Sequence, residues 1–193
     1  MRKQPRADAR RNRELILGAA REAFASVGPS VPLDEIARRA GVGPGTLHRH
    51  FPTKDELLTS VMADRFMTLT ETAREMAGDA DPAEAFFAFF HRLAEEVRPN
   101  RALSAALSSH PPRSESLLRA GQALQDALGV LLTRAQRAGA VRTDITTSDL
   151  HAIIAGALAM EEGLNAPSRG LGVAVVADGL RAGRATGAGG ETG

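Results

Sequence analysis

The sequence of 193 residues contains no cysteine. It can therefore form no disulfide bond, and it offers neither a thiolate nucleophile nor a cysteine ligand for a metal ion. No apolar run reaches the roughly 18 residues that a membrane-spanning helix needs, and no apolar stretch of the signal-peptide type follows the basic start MRKQPRADARRNR. With 43% hydrophobic and 24% charged residues, the composition is that of an ordinary soluble protein. These features predict a cytoplasmic protein without a membrane partner.

Acidic residues are scarce in the first quarter of the chain. Residues 1–54 carry eleven Lys or Arg against five Asp or Glu, whereas residues 55–193 carry 13 against 18. A basic N-terminal part on an acidic remainder indicates a module that binds a polyanion. A solvated basic tail would give the same charge pattern, so charge alone leaves both interpretations open.

Sustained period-2 alternation of apolar residues is also lacking, which argues against strands. Apolar residues at helical spacing instead predict an all-α protein of nine helices in two domains, with a three-helix head containing a helix-turn-helix. The predicted helices cover about residues 9–27, 33–40, 44–51, 54–76, 82–98, 102–108, 114–138, 147–163 and 171–182.

The second and third helices, with a short glycine turn between them, predict a helix-turn-helix motif over residues 32–51. Gly41 permits the positive φ that such a turn needs. Leu47 and Phe51 are four residues apart, so both can anchor the same face of the third helix to the core. The residues that this anchoring leaves on the outer face are Pro44, Gly45, Thr46, His48, Arg49 and part of His50.

That outer face suits DNA. Gly45 and Thr46 are small enough to approach a groove wall, and a threonine methyl can contact a thymine methyl. Arg49 can donate to guanine or to phosphate, and His48 and Lys54 can donate to phosphates beside the groove. Nonspecific, salt-sensitive attraction would come from three basic residues of the first helix, Arg10, Arg11 and Arg13.

Three other interpretations of the histidines are weaker. His48 and His50 project about 200° apart on a helix, so they cannot share a metal ion, and no metal site is expected. Catalysis by His50 would need an orienting carboxylate and a cleft, and the nearest acids, Asp55 and Glu56, belong to the first turn of the next helix. Simple packing of His50 beside Phe51 stays open. We expect no cofactor.

The stretch LDEIARRAGVGPGTLHRHFPTKDELL, from Leu33 to Leu58, closely resembles the DNA-binding signature of the tetracycline-repressor (TetR) family, and RNRELILGAAREAFASVG before it resembles that family's first helix. The resemblance covers roughly residues 10–60. The remainder resembles ligand domains of actinobacterial members, in keeping with 22 Arg and two Lys. The resemblance implies a homodimer that binds a palindromic operator, usually as a repressor, and a second domain whose pocket binds a small molecule and thereby weakens DNA binding.

By position, the family's DNA contacts fall on Thr46, His48, His50 and Lys54, with Gly45 allowing close approach. His48 stands where the family usually has Tyr, so its phosphate contact would become pH-sensitive. Gly43 stands where Ser is common, which costs little at a helix N-cap.

The resemblance and the helix pattern together predict the domain organisation. Residues 1–9 form a disordered basic arm, 10–55 the DNA-binding domain, 56–184 an effector-binding and dimerisation domain, and 185–193 a disordered tail. A ligand pocket is usually apolar with a few polar groups. The predicted pocket residues are Phe66, Phe86, Phe87, Phe90, His91, Leu103, Leu107, His110, Leu124, Gln125, Leu128 and His151. The dimer interface is expected on the eighth and ninth helices, at Ile153, Gly156, Ala157, Met160, Val175, Val176 and Leu180.

The sequence therefore predicts a DNA-binding transcriptional regulator. The leading hypothesis is a homodimeric repressor that binds a palindromic operator and is released by a small apolar effector. An alternative is an effector-independent DNA-binding protein whose second domain only dimerises. A helical enzyme is disfavoured, because no acid, base and nucleophile converge in the pattern.

Overall fold

The computed structural model describes residues 5–97, 114–163 and 170–183. Within these ranges the regular structure is helical, apart from one isolated antiparallel bridge between Val141 and Arg181, so the predicted all-α fold is confirmed. No helix of the described residues is long and apolar enough to cross a membrane. The helices are α1 (Pro5–Ser26), α2 (Leu33–Arg39), α3 (Pro44–His50), α4 (Lys54–Met76), α5 (Pro82–Val97), α6 (Glu115–Arg137), α7 (Thr147–Gly163) and α8 (Leu171–Leu180).

The start of the first helix differs from the prediction. α1 begins at Pro5, so residues 5–9 are helical rather than disordered. Asp8 lies in the first turn, where a negative charge interacts favourably with the helix dipole. The predicted short helix over residues 102–108 and the predicted tail over residues 185–193 lie outside the described residues.

The end of the last helix is set by pairing with a distant segment. α8 ends at Leu180, earlier than predicted, and the chain continues in an extended conformation. The N–H of Arg142 donates to the carbonyl oxygen of Leu180 at 3.0 Å, and the N–H of Ala182 donates to that of Ala140 at 3.0 Å. We refer to these two hydrogen bonds as the C-terminal clasp. They tie the end of α8 to the connection between α6 and α7.

The chain packs as two compact units. The first comprises residues 1–69 and 95–124, and the second comprises residues 70–94 and 125–193. α4 contributes to both, because it is unbroken from Lys54 to Met76. The packing boundary therefore does not coincide with the functional boundary predicted after residue 55. The assignment of DNA binding to residues 10–55, and of effector binding and dimerisation to residues 56–184, stays a prediction.

The core of the first unit is apolar and draws on α1 to α4. Ile16 of α1, Ile36 of α2, Leu47 of α3 and Leu57 of α4 are each 0% exposed. Burying a side chain of this size stabilises the fold by about 1.5–3 kcal/mol. The short helix α3, which could not be stable alone, is thus held in place by its inner face.

Side-chain caps fix the start of two helices. The N–H of Glu56 donates to Oγ1 of Thr53 at 3.2 Å, so Thr53 is the N-cap of α4. At α7, the N–H of Asp149 donates to Oγ1 of Thr146 at 3.2 Å, and the N–H of Thr146 donates back to Oδ2 of Asp149 at 2.8 Å. This reciprocal arrangement is a capping box. The Thr146 hydroxyl, which also donates to Oδ2 of Asp149 at 2.7 Å, and the Thr146 N–H hold the pKa of Asp149 below its usual range.

Four phenylalanines dominate the α5 part of the second unit. Phe86, Phe87, Phe89 and Phe90 are all buried. The rings of Phe86 and Phe87 meet edge to face, with their centroids 5.1 Å apart. The guanidinium carbon of Arg181 lies 4.3 Å from the centre of the Phe87 ring, a cation–π contact. All four side chains therefore contribute to the core.

Candidate nucleic-acid interface

A glycine turn joins α2 to α3. Gly41 has a φ of +66°, which confirms the predicted left-handed conformation. The N–H of Gly41 donates to the carbonyl of Arg38 at 3.2 Å, and the N–H of Val42 donates to that of Ala37 at 3.1 Å. Together these bonds form the Schellman motif that ends α2. Val42 packs against the core of the first unit, so the turn fixes the direction in which α3 leaves α2.

The two anchors of α3 decide which residues face outward. Leu47 is 0% exposed and Phe51 is 2% exposed, which confirms the predicted inner face. At about 100° per residue, Gly45 and Arg49 project opposite to Leu47, and His48 projects to one side. All three of these outer residues are exposed.

The residues predicted to contact DNA lie on α3 and near its ends. We refer to them as the recognition surface: Pro44, Gly45, Thr46, His48, Arg49, His50, Lys54 and Arg13. Pro44, Gly45, His48, Arg49 and Arg13 are exposed, and Thr46, His50 and Lys54 are half-buried. The arrangement presents two guanidinium groups, an ammonium group and two imidazoles. Their contact with DNA stays a prediction.

Two side chains of the recognition surface meet the anchor Phe51. The His50 ring lies 6.4 Å from the Phe51 ring, centroid to centroid, at an interplanar angle of 43°. This contact favours the packing interpretation of His50. The guanidinium carbon of Arg13 lies 5.5 Å from the centre of the same ring, which brings a cation of α1 to the C-terminal end of α3.

Arg49 is held along the surface of its own helix. Its Nε–H donates to the carbonyl oxygen of Gly45 at 3.1 Å, and its Nη2 donates to Oγ1 of Thr46 at 3.3 Å. The sequence pattern predicted that Arg49 would be exposed, but it could not predict these contacts, because they depend on the rotamer that the arginine adopts.

One carboxylate on α2 pairs with two arginines, and sequence reasoning missed this cluster. Glu35 accepts hydrogen bonds from Nε and Nη2 of Arg38 at 2.8 and 2.7 Å and from Nε of Arg39 at 2.8 Å. The hydrogen bonds from Arg38 and then Arg39 lower the pKa of Glu35 to about 2. The spacing of three and four residues could have revealed the cluster. Because Asp34 and Glu35 balance Arg38 and Arg39, α2 carries no net charge.

The head and the remainder of the chain match known families. Residues 16–61 match "Bacterial regulatory proteins, tetR family", and residues 81–182 match "Transcriptional regulator SbtR-like, C-terminal domain". A TetR transcription regulatory protein from Mycobacterium vanbaalenii is 38% identical, and its crystal structure aligns with a TM-score of 0.70 over 92% of this chain and 99% of that chain. The chain belongs to the tetR family. It is therefore a DNA-binding transcriptional regulator and not an enzyme.

Further relatives agree with this TetR-family assignment. The crystal structure of a TetR transcriptional regulator from Streptomyces coelicolor is 30% identical, with a TM-score of 0.70 over 89% of this chain and 99% of that chain. An HTH-type transcriptional regulator from Mycobacterium tuberculosis is 32% identical over 116 residues, which are 58% of this chain. The match spans 60% of the length of that curated relative. The sources agree with the actinobacterial resemblance.

The predicted pocket residues of this TetR-family regulator differ in burial. Phe86, Phe87, Phe90 and Leu128 are buried, and Phe66, Leu124 and Gln125 are half-buried. Because His91 and His151 are exposed, they are poor candidates for lining an enclosed apolar pocket. Leu103, Leu107 and His110 lie outside the described residues. Effector binding by the remaining residues stays a prediction.

The predicted dimer residues lie on α7 and α8 and also divide by burial. Gly156, Met160 and Val175 are exposed, and Ile153 and Val176 are half-buried. Ala157 and Leu180 are each 2% exposed, so they pack inside the protomer and offer almost no surface to a partner. A role of the five exposed or half-buried residues in dimerisation stays a prediction. Ala157 and Leu180 are better described as core residues.

Proposed function

We propose that this TetR-family regulator binds a palindromic operator as a homodimer and acts as a repressor that a small apolar effector releases. The observation that carries the proposal is the orientation of α3. Buried Leu47 and Phe51 leave Gly45, His48 and Arg49 exposed on one face, and that face can approach a major groove. In a two-fold dimer, the two α3 helices would enter successive grooves about 34–36 Å apart.

Exposed apolar surface on α7 and α8 supports the dimer. Met160 is 50% exposed, and Leu171 and Val175 are 55% and 60% exposed. Gly156 is also exposed and has open space where a Cβ would lie, so another helix could approach closely. In the proposed dimer, α7 and α8 of each subunit would form a four-helix interface that buries these residues.

The continuity of α4 supports release by an effector. This helix begins at Lys54 of the recognition surface and runs unbroken to Met76, a residue of the second unit. A molecule that displaced the later part of α4 would move Lys54 and the adjoining α3, and the spacing of the two α3 helices would change. Because a bacterial operator lies in the cytoplasm, the proposal requires a cytoplasmic protein.

Operator binding is tested by footprinting on DNA fragments from the host genome at physiological salt. We expect protection of a palindromic site. Arg49→Ala and His48→Ala should weaken binding at this site, whereas Arg92→Ala and His91→Ala, which replace exposed residues of α5, should not. Binding without any site preference, or equal binding by all four variants, would contradict the proposal.

Dimerisation is tested by analytical ultracentrifugation of Val175→Asp and Val130→Asp. Both valines are more than half exposed, at 60% and 51%, but only Val175 lies in the proposed interface. We expect the first variant to be monomeric and the second to remain dimeric. A wild-type protein that is monomeric at micromolar concentration would refute the homodimer.

Effector release is tested by thermal shift with a panel of apolar small molecules, followed by titration of the stabilising compounds into the protein–DNA complex. A bound effector stabilises the native state in proportion to the logarithm of its concentration. We expect the stabilising compounds to lower the affinity for DNA. Specific DNA binding that none of the compounds changes would favour the effector-independent alternative.

A further inference from the structure

Arg49 uses one edge of its guanidinium group to bind its own helix. The Nε–H and one N–H of Nη2 lie along the same edge of this planar group, and they donate to the carbonyl of Gly45 and the hydroxyl of Thr46 at 3.1 and 3.3 Å. Because the guanidinium is rigid, engaging these two donors also fixes the direction of its remaining N–H groups. The two contacts therefore orient the whole group.

The other edge of the guanidinium remains available. One N–H of Nη1 and the second N–H of Nη2 face away from both acceptors, and neither donates a hydrogen bond to another group in the described part of the chain. Two parallel N–H donors match the O6 and N7 acceptors of guanine in the major groove. Arg49 projects from α3 on the side opposite the buried Leu47, so this edge can reach the DNA.

We infer that Thr46 is a positioning residue, which orients the guanidinium of Arg49 so that it can bind a guanine base. This inference rests on the proposed operator binding. A free arginine side chain would lose much conformational freedom on binding DNA, and a side chain already held by Thr46 loses less. The Thr46 hydroxyl acts through Arg49 and need not contact a base. Its methyl group remains free to contact a thymine.

Selection from a random pool of double-stranded DNA, with the full-length protein and its variants, tests this role. Thr46→Val keeps the shape of the side chain and removes the acceptor, whereas Thr46→Ser keeps the acceptor and removes the methyl group. Arg49→Ala should reduce the preference for guanine at one position by about 5- to 150-fold, the range of a bidentate contact. Thr46→Val should reduce the preference for guanine at the same position by about two- to tenfold, which is the effect of losing one hydrogen bond.

Three comparisons separate positioning from direct contact. Thr46→Ser should keep the guanine preference that Thr46→Val loses. The double variant Thr46→Val/Arg49→Ala should match Arg49→Ala alone, because the two residues act through one contact. In the free protein, the NMR signal of the Arg49 Nε–H should show greater side-chain mobility in Thr46→Val than in the wild type. Thermal unfolding of each variant checks that the fold is intact.

Several results would overturn the inference. Thr46→Val could select the same sequences as the wild type, or it could lose preference at a position that Arg49→Ala leaves unchanged, which would assign Thr46 to direct base contact. Tighter binding by Thr46→Val would show that the hydroxyl restrains Arg49 from reaching DNA. A wild-type protein that enriches no sequence would overturn the proposed operator binding and this inference with it.

Discussion

Replacing Gly41 with alanine tests how the turn between α2 and α3 is held. The φ of Gly41 is +66°, and an L-residue in this conformation costs about 1–2 kcal/mol. An ideal Cβ at Gly41 meets nothing within 4 Å, so no steric clash adds to this cost. The lower entropy of the unfolded chain offsets about 0.4–1 kcal/mol. We therefore expect Gly41→Ala to lower the free energy of unfolding by roughly 1 kcal/mol.

Gly18→Ala is the matched control for Gly41→Ala. Gly18 lies within α1, and an ideal Cβ there also meets nothing within 4 Å, but its φ is not positive. Alanine should raise the free energy of unfolding by about 0.5–1 kcal/mol at such a site. Gly41→Asn should cost less than Gly41→Ala, because asparagine adopts positive φ more readily.

Urea unfolding at one fixed protein concentration measures all three glycine variants, since dimerisation would otherwise shift the apparent stability. The reasoning about Gly41 is refuted if Gly41→Ala is as stable as the wild type. It is also refuted if Gly18→Ala loses as much stability as Gly41→Ala, because the φ of the residue would then not be the cause.

Three further predictions concern stability. Leu47→Ala should lower the free energy of unfolding by about 2–5 kcal/mol, because the leucine side chain is 0% exposed. A smaller loss in urea unfolding would contradict the tight anchoring of α3. Gly129→Ala should raise the free energy of unfolding by less than Gly18→Ala does, because an ideal Cβ at Gly129 would lie 3.0 Å from Oγ1 of Thr147. An equal gain of both variants in urea unfolding would contradict this close contact. Glu35 has a pKa lowered from 4.5 to about 2 by its two arginines, so the stability it contributes is present above pH 4.5 and is lost as the pH falls toward 2. In Glu35→Gln, the urea concentration at the unfolding midpoint should therefore fall less between pH 4.5 and 2 than in the wild type. The same pH profile for both proteins would show that the ion pairs of Glu35 do not contribute to stability.

The features of the head that could be predicted are those set by neighbouring residues. The turn at Gly41 depends on a few adjacent positions. The inner face of α3 follows from the spacing of Leu47 and Phe51. Features that depend only on neighbouring residues therefore form in the structure as the sequence predicts. Once the inner face of α3 is known, the residues on its outer face are known too.

Features that depend on packing or rotamers could not be predicted. Ala157 and Leu180 belong to an apolar pattern that suits a dimer interface, but the sequence does not tell which part of that pattern the protomer buries itself. The contacts of Arg49 with Thr46 depend on a rotamer, and no spacing rule fixes it. The pairing of Glu35 with Arg38 and Arg39 was missed, although their spacing of three and four residues permitted it.

The C-terminal clasp gives the chain a closed loop. Residues 140 and 182 are joined by a backbone hydrogen bond, and α7 and α8 lie between them. The entropy cost of closing a loop grows only with the logarithm of its length, so extra residues between α7 and α8 would add little to it. The length of the connection between α7 and α8 is therefore only weakly constrained by closure of this loop.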